Sequence, residues 1–438
     1  MNGQPPSAVV NTGSAGGPGP VWRGLRLLVG VLVAVSVVLV VVVGVYRLLA
    51  DVGVARHVRV TAGAYSDLEK HILTARAGDL IDVPAGLFVV SHPMRLSARG
   101  VTLKGAGKGR TVLDFHAQRR GRQGLEIAAP GVLLADLTLR NALGDGVVVR
   151  GGREVSLRRM RVEWTAARRP APGTVGVRVV QAQDVLIDRV EVYGANEAGI
   201  ALERSRQVIV QNSSAAAAAV GIAVTNCEFV DVMRSLFTRN SIGVVVLNRP
   251  NMTDSVSNSI RVLGNRIVAN GLANPLPATQ VLGSLPAGIG VAVVGHDRVA
   301  VFDNDISGNP ATGVLIASYL FTNLPYQDPL FDPYAESVHL YGNRFAGNGS
   351  GPSTDALRLA AGFLPKGHAA DIMRDGFSDN LKLVNGRLPE ALRLCLHDNG
   401  RARFVDLDAT EDFSRPSTSA APYACTLPPL RVVLISPR

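Results

Sequence analysis

Carboxylates, a phenol and arginines recur at matching intervals in the first half of this chain. Arg161 and Glu163 are followed 30 residues later by Glu191 and Tyr193. Within each pair the spacing is two, which puts both side chains on one face of a strand. Trp164 comes directly after Glu163, and Asp145 and Glu197 fall at turn positions near the ends of the same segments. Arg158, Arg159, Arg168, Arg169 and Arg189 make these surroundings cationic. The set suits an acidic sugar polymer. Arg161 neutralises a carboxylate, Tyr193 or Glu163 exchanges a proton, and Trp164 stacks on a ring. Arg161, Glu163 and Tyr193 are the catalytic candidates; Trp164, Arg159, Arg189, Asp145 and Glu197 are the substrate-binding ones. The competing reading is a solvated face whose charges pair weakly across neighbouring strands.

The elements that position these residues follow from a repeat. Gly199, Gly221 and Gly243 are 22 residues apart, and apolar pairs recur behind them: Ile200/Leu202, Ile222/Val224 and Val244/Val246, then Val208/Val210 and Val230/Val232. Gly146 and Gly176 carry the same offsets. Several short strands per repeat, with no room for a helix, make each strand the neighbour of its equivalent one repeat on. The spacing predicts an all-β fold, a right-handed parallel β-helix in which each coil buries its apolar face by stacking on the next. In that register Arg161, Glu191, Arg266, Asp305 and Arg344 share an outward column, with Glu163 and Tyr193 in a second one. Two asparagine columns, Asn265/Asn304/Asn343 and Asn270/Asn309/Asn348, repeat every 39 residues and suit turns that hydrogen-bond along the stack.

The ends of the solenoid need covers, because exposed strand edges invite aggregation. Ser66 to Glu69 has the capping-box form and predicts a short helix with Leu68, Ile72 and Leu73 on one face, over the first coil. The stretches 249–259, 271–286 and 319–335 read as long excursions, functional or capping. The tail from 355 onward is expected to cap the last coil. In it Cys395 and Cys425 are expected to pair, since exported proteins keep disulfides, while Cys227 has no partner.

Before the coils, residues 1–22 read as a disordered cytoplasmic tail and 23–49 as an anchor. Leu27 to Tyr46 is a charge-free apolar run behind Arg23 and Arg26, long enough to span a bilayer, with the arginines favouring a cytoplasmic N-terminus. A cleaved export signal is the alternative, although its apolar core would be shorter. The coils proper occupy 56–354 and the tail 355–438. The expected location is the bacterial inner membrane, single-pass, with the β-helix in the periplasm. A net charge of +10 favours anionic partners. Nucleic acid is the least suited of these, because stacking aromatics are scarce at 5%.

From about Val58 on, the chain resembles the parallel β-helix repeat-containing proteins of the pectate-lyase-like superfamily, a bacterial envelope family. The phrases GDLIDVPAG, LKGAGKGRTVLDF, GDGVVV, RVEWT, GANEAGI, PAGIGV and VLIASYL carry that resemblance. It implies the fold, but no established reaction. Superfamily members of known activity cleave or epimerise uronic-acid polymers, or hydrolyse them with paired aspartates. Their diagnostic motifs are missing: Asp332-Pro333-Tyr334-Ala335 is the nearest approach to the Asp-Pro-His-Asp of alginate epimerases. The expected function is therefore that of a membrane-anchored, exported protein binding an acidic polysaccharide; a lyase, epimerase or glycoside hydrolase is the alternative. No cofactor or metal is expected, since there is no phosphate loop, Cys-x-x-Cys pair or clustered histidine.

Overall fold

The computed structural model describes residues 35–41, 55–165, 169–252, 258–351, 354, 358, 362, 364 and 369–435. The chain divides into two units, Met1–Val54 and Ala55–Arg438. In the first, residues 35–41 are helical with exposed side chains. The rest of the Leu27–Tyr46 run lies outside the described residues. No helix among the described residues is long and apolar enough to cross a membrane.

The second unit is a parallel β-helix. One coil illustrates the rest: strand Val220–Thr225 forms face 1, Glu228–Met233 face 2 and Leu236–Thr238 face 3. Each strand pairs in parallel with its equivalents on the coils before and after, so Ile222 sits between Ile200 and Val244, and Val230 between Val208 and Ile260. Face 1 is an 11-stranded sheet; faces 2 and 3 merge into one 20-stranded sheet. They merge because Arg153–Glu163 and Gln183–Tyr193 run through the turn between the two faces as single bent strands. The bends fall at Arg159 (φ 51°) and Arg189 (φ 56°), both in the left-handed region.

Valine, isoleucine and leucine fill the lumen because alternate side chains of every strand point inward. Burying each is worth roughly 2 kcal/mol, repeated coil after coil. The glycine column is explained by close approach. A Cβ on Gly221 would lie 2.5 Å from the carbonyl oxygen of Gly243, and one on Gly243 would lie 2.6 Å from that of Gly290. The asparagine columns are buried ladders: Asn265 Nδ2 donates to Asn304 Oδ1 at 3.0 Å, Asn304 to Asn343 at 3.0 Å, and Asn270 to Asn309 at 3.1 Å. Asn240 and Asn399 extend them at either end.

The covers depart from the sequence reading in detail. A helix, α1 (Tyr65–Leu73), buries Leu68 and Ile72 over the first coil, but Leu73 is exposed. Its N-cap is Ala64, with no side-chain cap bond, so Ser66 lies inside the first turn and forms no capping box. Strand pairing continues past Gly349: Ile372–Arg374 and Phe404–Asp406 complete face 1, and Cys395–His397 extends face 2. Cys395 is joined to Cys425. Beyond it Leu427 to Leu430 lie against outward residues of face 2, and Val433 N donates to Asp231 Oδ2 at 3.2 Å.

The outward side of face 1 is a second core. Ala201, Ala223, Val245, Ala292 and Leu315 are all buried there. The short helix α2 (Val281–Ser284) belongs to this cluster through Val281, as does the excursion 319–335 through Tyr319, with Tyr326 and Phe331 packed edge-on against Tyr319 at 5.7 and 5.2 Å. Two of the long excursions thus serve as a roof.

Candidate functional site

Face 3 sets the candidate residues in two outward columns. Thr138, Arg161, Glu191, Ser214, Leu236 and Arg266 are register partners in the first, and Arg140, Glu163, Tyr193 and Ala216 in the second. Arg161, Glu163 and Tyr193 therefore share one face on adjoining coils, with Glu163 directly beside Tyr193. Their charges alternate into a chain. Arg140 Nε donates to Glu163 Oε1 at 2.8 Å, and Arg161 lies 3.9 Å from the other oxygen of Glu163. Arg161 also donates to Glu191 Oε2 at 2.8 Å from Nη2 and 3.1 Å from Nε, and Lys108 bonds the remaining oxygen of Glu191. Partial burial would raise the Glu191 pKa, but hydrogen bonds from Lys108 and Arg161 outweigh it and hold the carboxyl below its usual range. Tyr193 is 49% exposed and keeps its ring available at the surface.

Four assigned residues need correction. Trp164 does not face outward: it is buried among the lumen residues, and its indole N–H donates to the Ala142 carbonyl at 2.8 Å, so it cannot stack on a sugar. Alternation itself puts it there: Val162 points into the lumen, Glu163 outward, and Trp164 inward again. Asp145 and Glu197 lie on face 1, away from Glu163. There Arg178 Nε binds Asp145 Oδ2 at 2.7 Å, Arg178 bonds Glu203, and Glu197 stands 3.8 Å away. Burial raises the Glu197 pKa, opposed by Arg178 and reinforced by Glu203 and Asp145. Arg159 is tied to Asp136 by two bonds of 2.6 and 2.7 Å, leaving little of its guanidinium for a ligand. Of the arginines between Arg158 and Arg169, Arg168 lies outside the described residues.

Arg189 has a different setting. Together with Lys108, Glu191, Arg234 and Arg266 it lines a shallow, open depression of about 630 Å³ beside the charged columns. Among the described residues no carboxylate lies within 4 Å of Arg189, Arg234 or Arg266; Arg234 bonds only the neutral Gln211, at 2.8 Å. Arg234 was missed in the sequence reading, yet its place is derivable. Arg159, Arg189 and Arg234 each stand two residues after an inward apolar residue (Leu157, Ile187, Val232), at the left-handed turn position between faces 2 and 3.

With this geometry established, comparison with known proteins defines the family. The model described as "Right handed beta helix region" matches residues 100–324. The chain belongs to the right-handed β-helix family. Among solved structures, it is similar to the A-module of the mannuronan C-5 epimerase AlgE6 of Azotobacter vinelandii. That match has 18% identity and a TM-score of 0.48, covering 75% of this chain and 79% of the module. It is also similar to a family 28 exopolygalacturonase of Yersinia enterocolitica, with 12% identity and a TM-score of 0.46, covering 67% and 65%. Pectate lyase Pel9A matches at 11% identity and a TM-score of 0.40, covering 68% and 72%. No curated protein matches the sequence.

Proposed function

We propose that the β-helix binds an acidic polysaccharide laid across the coils at the junction of faces 2 and 3. The observation that carries this is the depression lined by Arg189, Arg234 and Arg266, three guanidinium groups with no carboxylate partner among the described residues, on a surface where Arg140, Arg159 and Arg161 are all paired. Arg189 and Arg234 are two coils apart, roughly 10 Å at about 4.8 Å per coil, a separation suited to a repeating polyanion. Tyr193 offers an exposed ring beside them.

Binding is favoured over catalysis. Glu191 is held ionised by two cations, whereas a general base at neutral pH works best with a pKa near the operating pH. Glu163 is bonded to Arg140. In this reading Leu27 to Tyr46 anchors the chain, and the β-helix meets its ligand outside the cytoplasm.

The test is retention of the detergent-solubilised full chain on immobilised polyuronate and on a neutral glucan, across a salt series. Polyuronate should retain it, with retention falling as salt rises. Reversing Arg189, Arg234 and Arg266 to Glu should abolish retention. Equal behaviour on both matrices, or a triple variant that binds as the parent does, would overturn the proposal.

A further inference from the structure

Away from face 3, three carboxylates converge at the turn that follows the face 1 strand Ile289–Val294. The ligand oxygens of Asp297, Asp332 and Glu336 all lie within 4.8 Å of one another. Asp297 belongs to the turn itself, Asp332 to the roof excursion 319–335, and Glu336 to the residues immediately after it. Asp297 Oδ1 accepts the Glu336 N–H at 3.0 Å, which fixes the two segments together. Lys382 reaches in from a later excursion, bonding Asp332 Oδ2 at 2.5 Å and Glu336 Oε2 at 2.8 Å, and Asp379 stands 3.7 Å from the same ammonium.

That lysine does not complete the cluster. Three carboxyl groups face one ammonium, which bonds only Asp332 and Glu336. Glu336 is 2% exposed, and its Oε1 has no hydrogen-bond partner among the described residues. A buried carboxylate oxygen left in this way is costly, by several kcal/mol for a charged group, so something further is required on that side of Glu336.

We propose that Asp297, Asp332 and Glu336 form a binding site for a divalent cation, with Ca²⁺ the best fit. The donors are all oxygens, as hard cations require. Ca²⁺ accepts irregular sets of carboxylate oxygens, whereas Mg²⁺ demands near-ideal octahedral geometry and gives up its waters reluctantly. Three protein carboxylates leave the remaining positions to water. The ion ties the turn after Ile289–Val294 to the excursion that roofs face 1, and so couples cation binding to the stability of that roof.

Tb³⁺ serves as the probe, with emission excited through tyrosine, since the backbone N–H of Tyr334 bonds Asp332 Oδ1 at 3.1 Å. The detergent-solubilised full chain should take up one Tb³⁺, Ca²⁺ should displace it, and Ca²⁺ should raise the unfolding temperature relative to chelator. Glu336→Gln and Asp297→Asn should each remove both effects, while Asp398→Asn, at an exposed residue remote from the cluster, leaves them intact. Lys382→Met, which removes the competing ammonium, should tighten uptake roughly tenfold, because ligand charge sets affinity at such sites. If the parent shows no saturable uptake at millimolar Ca²⁺, or if uptake is unchanged in both Glu336→Gln and Asp297→Asn, the site does not exist.

Discussion

Faces 1 and 3 are built from the same kind of strand, yet their outward sides have opposite characters. On face 3 the outward positions of the early coils are Arg140, Glu163, Arg161, Glu191 and Tyr193, a charged surface open to solvent. On face 1 they are Val245, Ala292 and Leu315, each fully buried under excursions from the chain's second half. The lumen side is apolar on both. Stacking of coils thus dictates only the inner side chain of each strand. The outer one is free to become a binding surface or a second core, according to whether a turn is long enough to fold back over it.

The largest effect should come from charging the roofed face. Val245→Asp buries a carboxylate without a partner and should cost at least about 4 kcal/mol, if it folds at all. Ser214→Asp on open face 3 should change stability by less than about 0.5 kcal/mol. Thermal unfolding of the two variants compares the faces directly; equal losses would mean that face 1 has no roof in solution.

Next come the devices that hold the later coils in register. Asn270→Ala removes bonds to Phe237 O and Asn309 Oδ1 and takes the acceptor from the Asn240 backbone N–H, which should cost about 2–3 kcal/mol. Cys395→Ser opens a cross-link spanning 30 residues and should cost about 3 kcal/mol. It should also release Leu427 to Val433 from face 2, seen as faster proteolysis of the C-terminus.

Face 2 lies between the two extremes, since the C-terminal segment covers only part of it. There the outward His339 packs against Tyr341 and His397, with ring centroids 4.5 and 4.9 Å away. Burial drives its pKa down to about 4, and His397 pushes the same way. Because the folded pKa lies below the usual histidine value of about 6.5, protonation favours the unfolded chain. This contribution is whole above pH 6.5 and is lost as the pH falls towards 4. His296, buried with a pKa near 4, adds in the same direction, so His339→Gln should flatten the acid limb of a stability–pH curve without abolishing it.

The smallest effect on stability belongs to the open face. Arg161→Ala removes partly exposed ion pairs to Glu191 and Glu163 and should cost less than about 1 kcal/mol. A loss comparable to that of Asn270→Ala would mean that the charged columns hold the fold together rather than serve a ligand.

The repeat of glycines and apolar pairs by itself determined the coil, its register, the asparagine ladders and the two outward columns of face 3, because inward alternation and close backbone approach leave direct marks on residue type. It placed Arg161, Glu163, Glu191 and Tyr193 on one face, since register alone decides which residues become neighbours. The tertiary structure decided everything that depends on what lies over or beside a strand. How far Trp164 is covered is one example: its indole reaches the Ala142 carbonyl across the turn, although alternation after outward Glu163 already directs it inward. Asp145 and Glu197 gather around Arg178 on another face. The carboxylates of Asp297, Asp332 and Glu336 meet only because the 319–335 excursion folds back on the turn after face 1. Periodicity fixes contacts between equivalent positions of successive coils; contacts made by irregular excursions have no period, and only the folded chain reveals them.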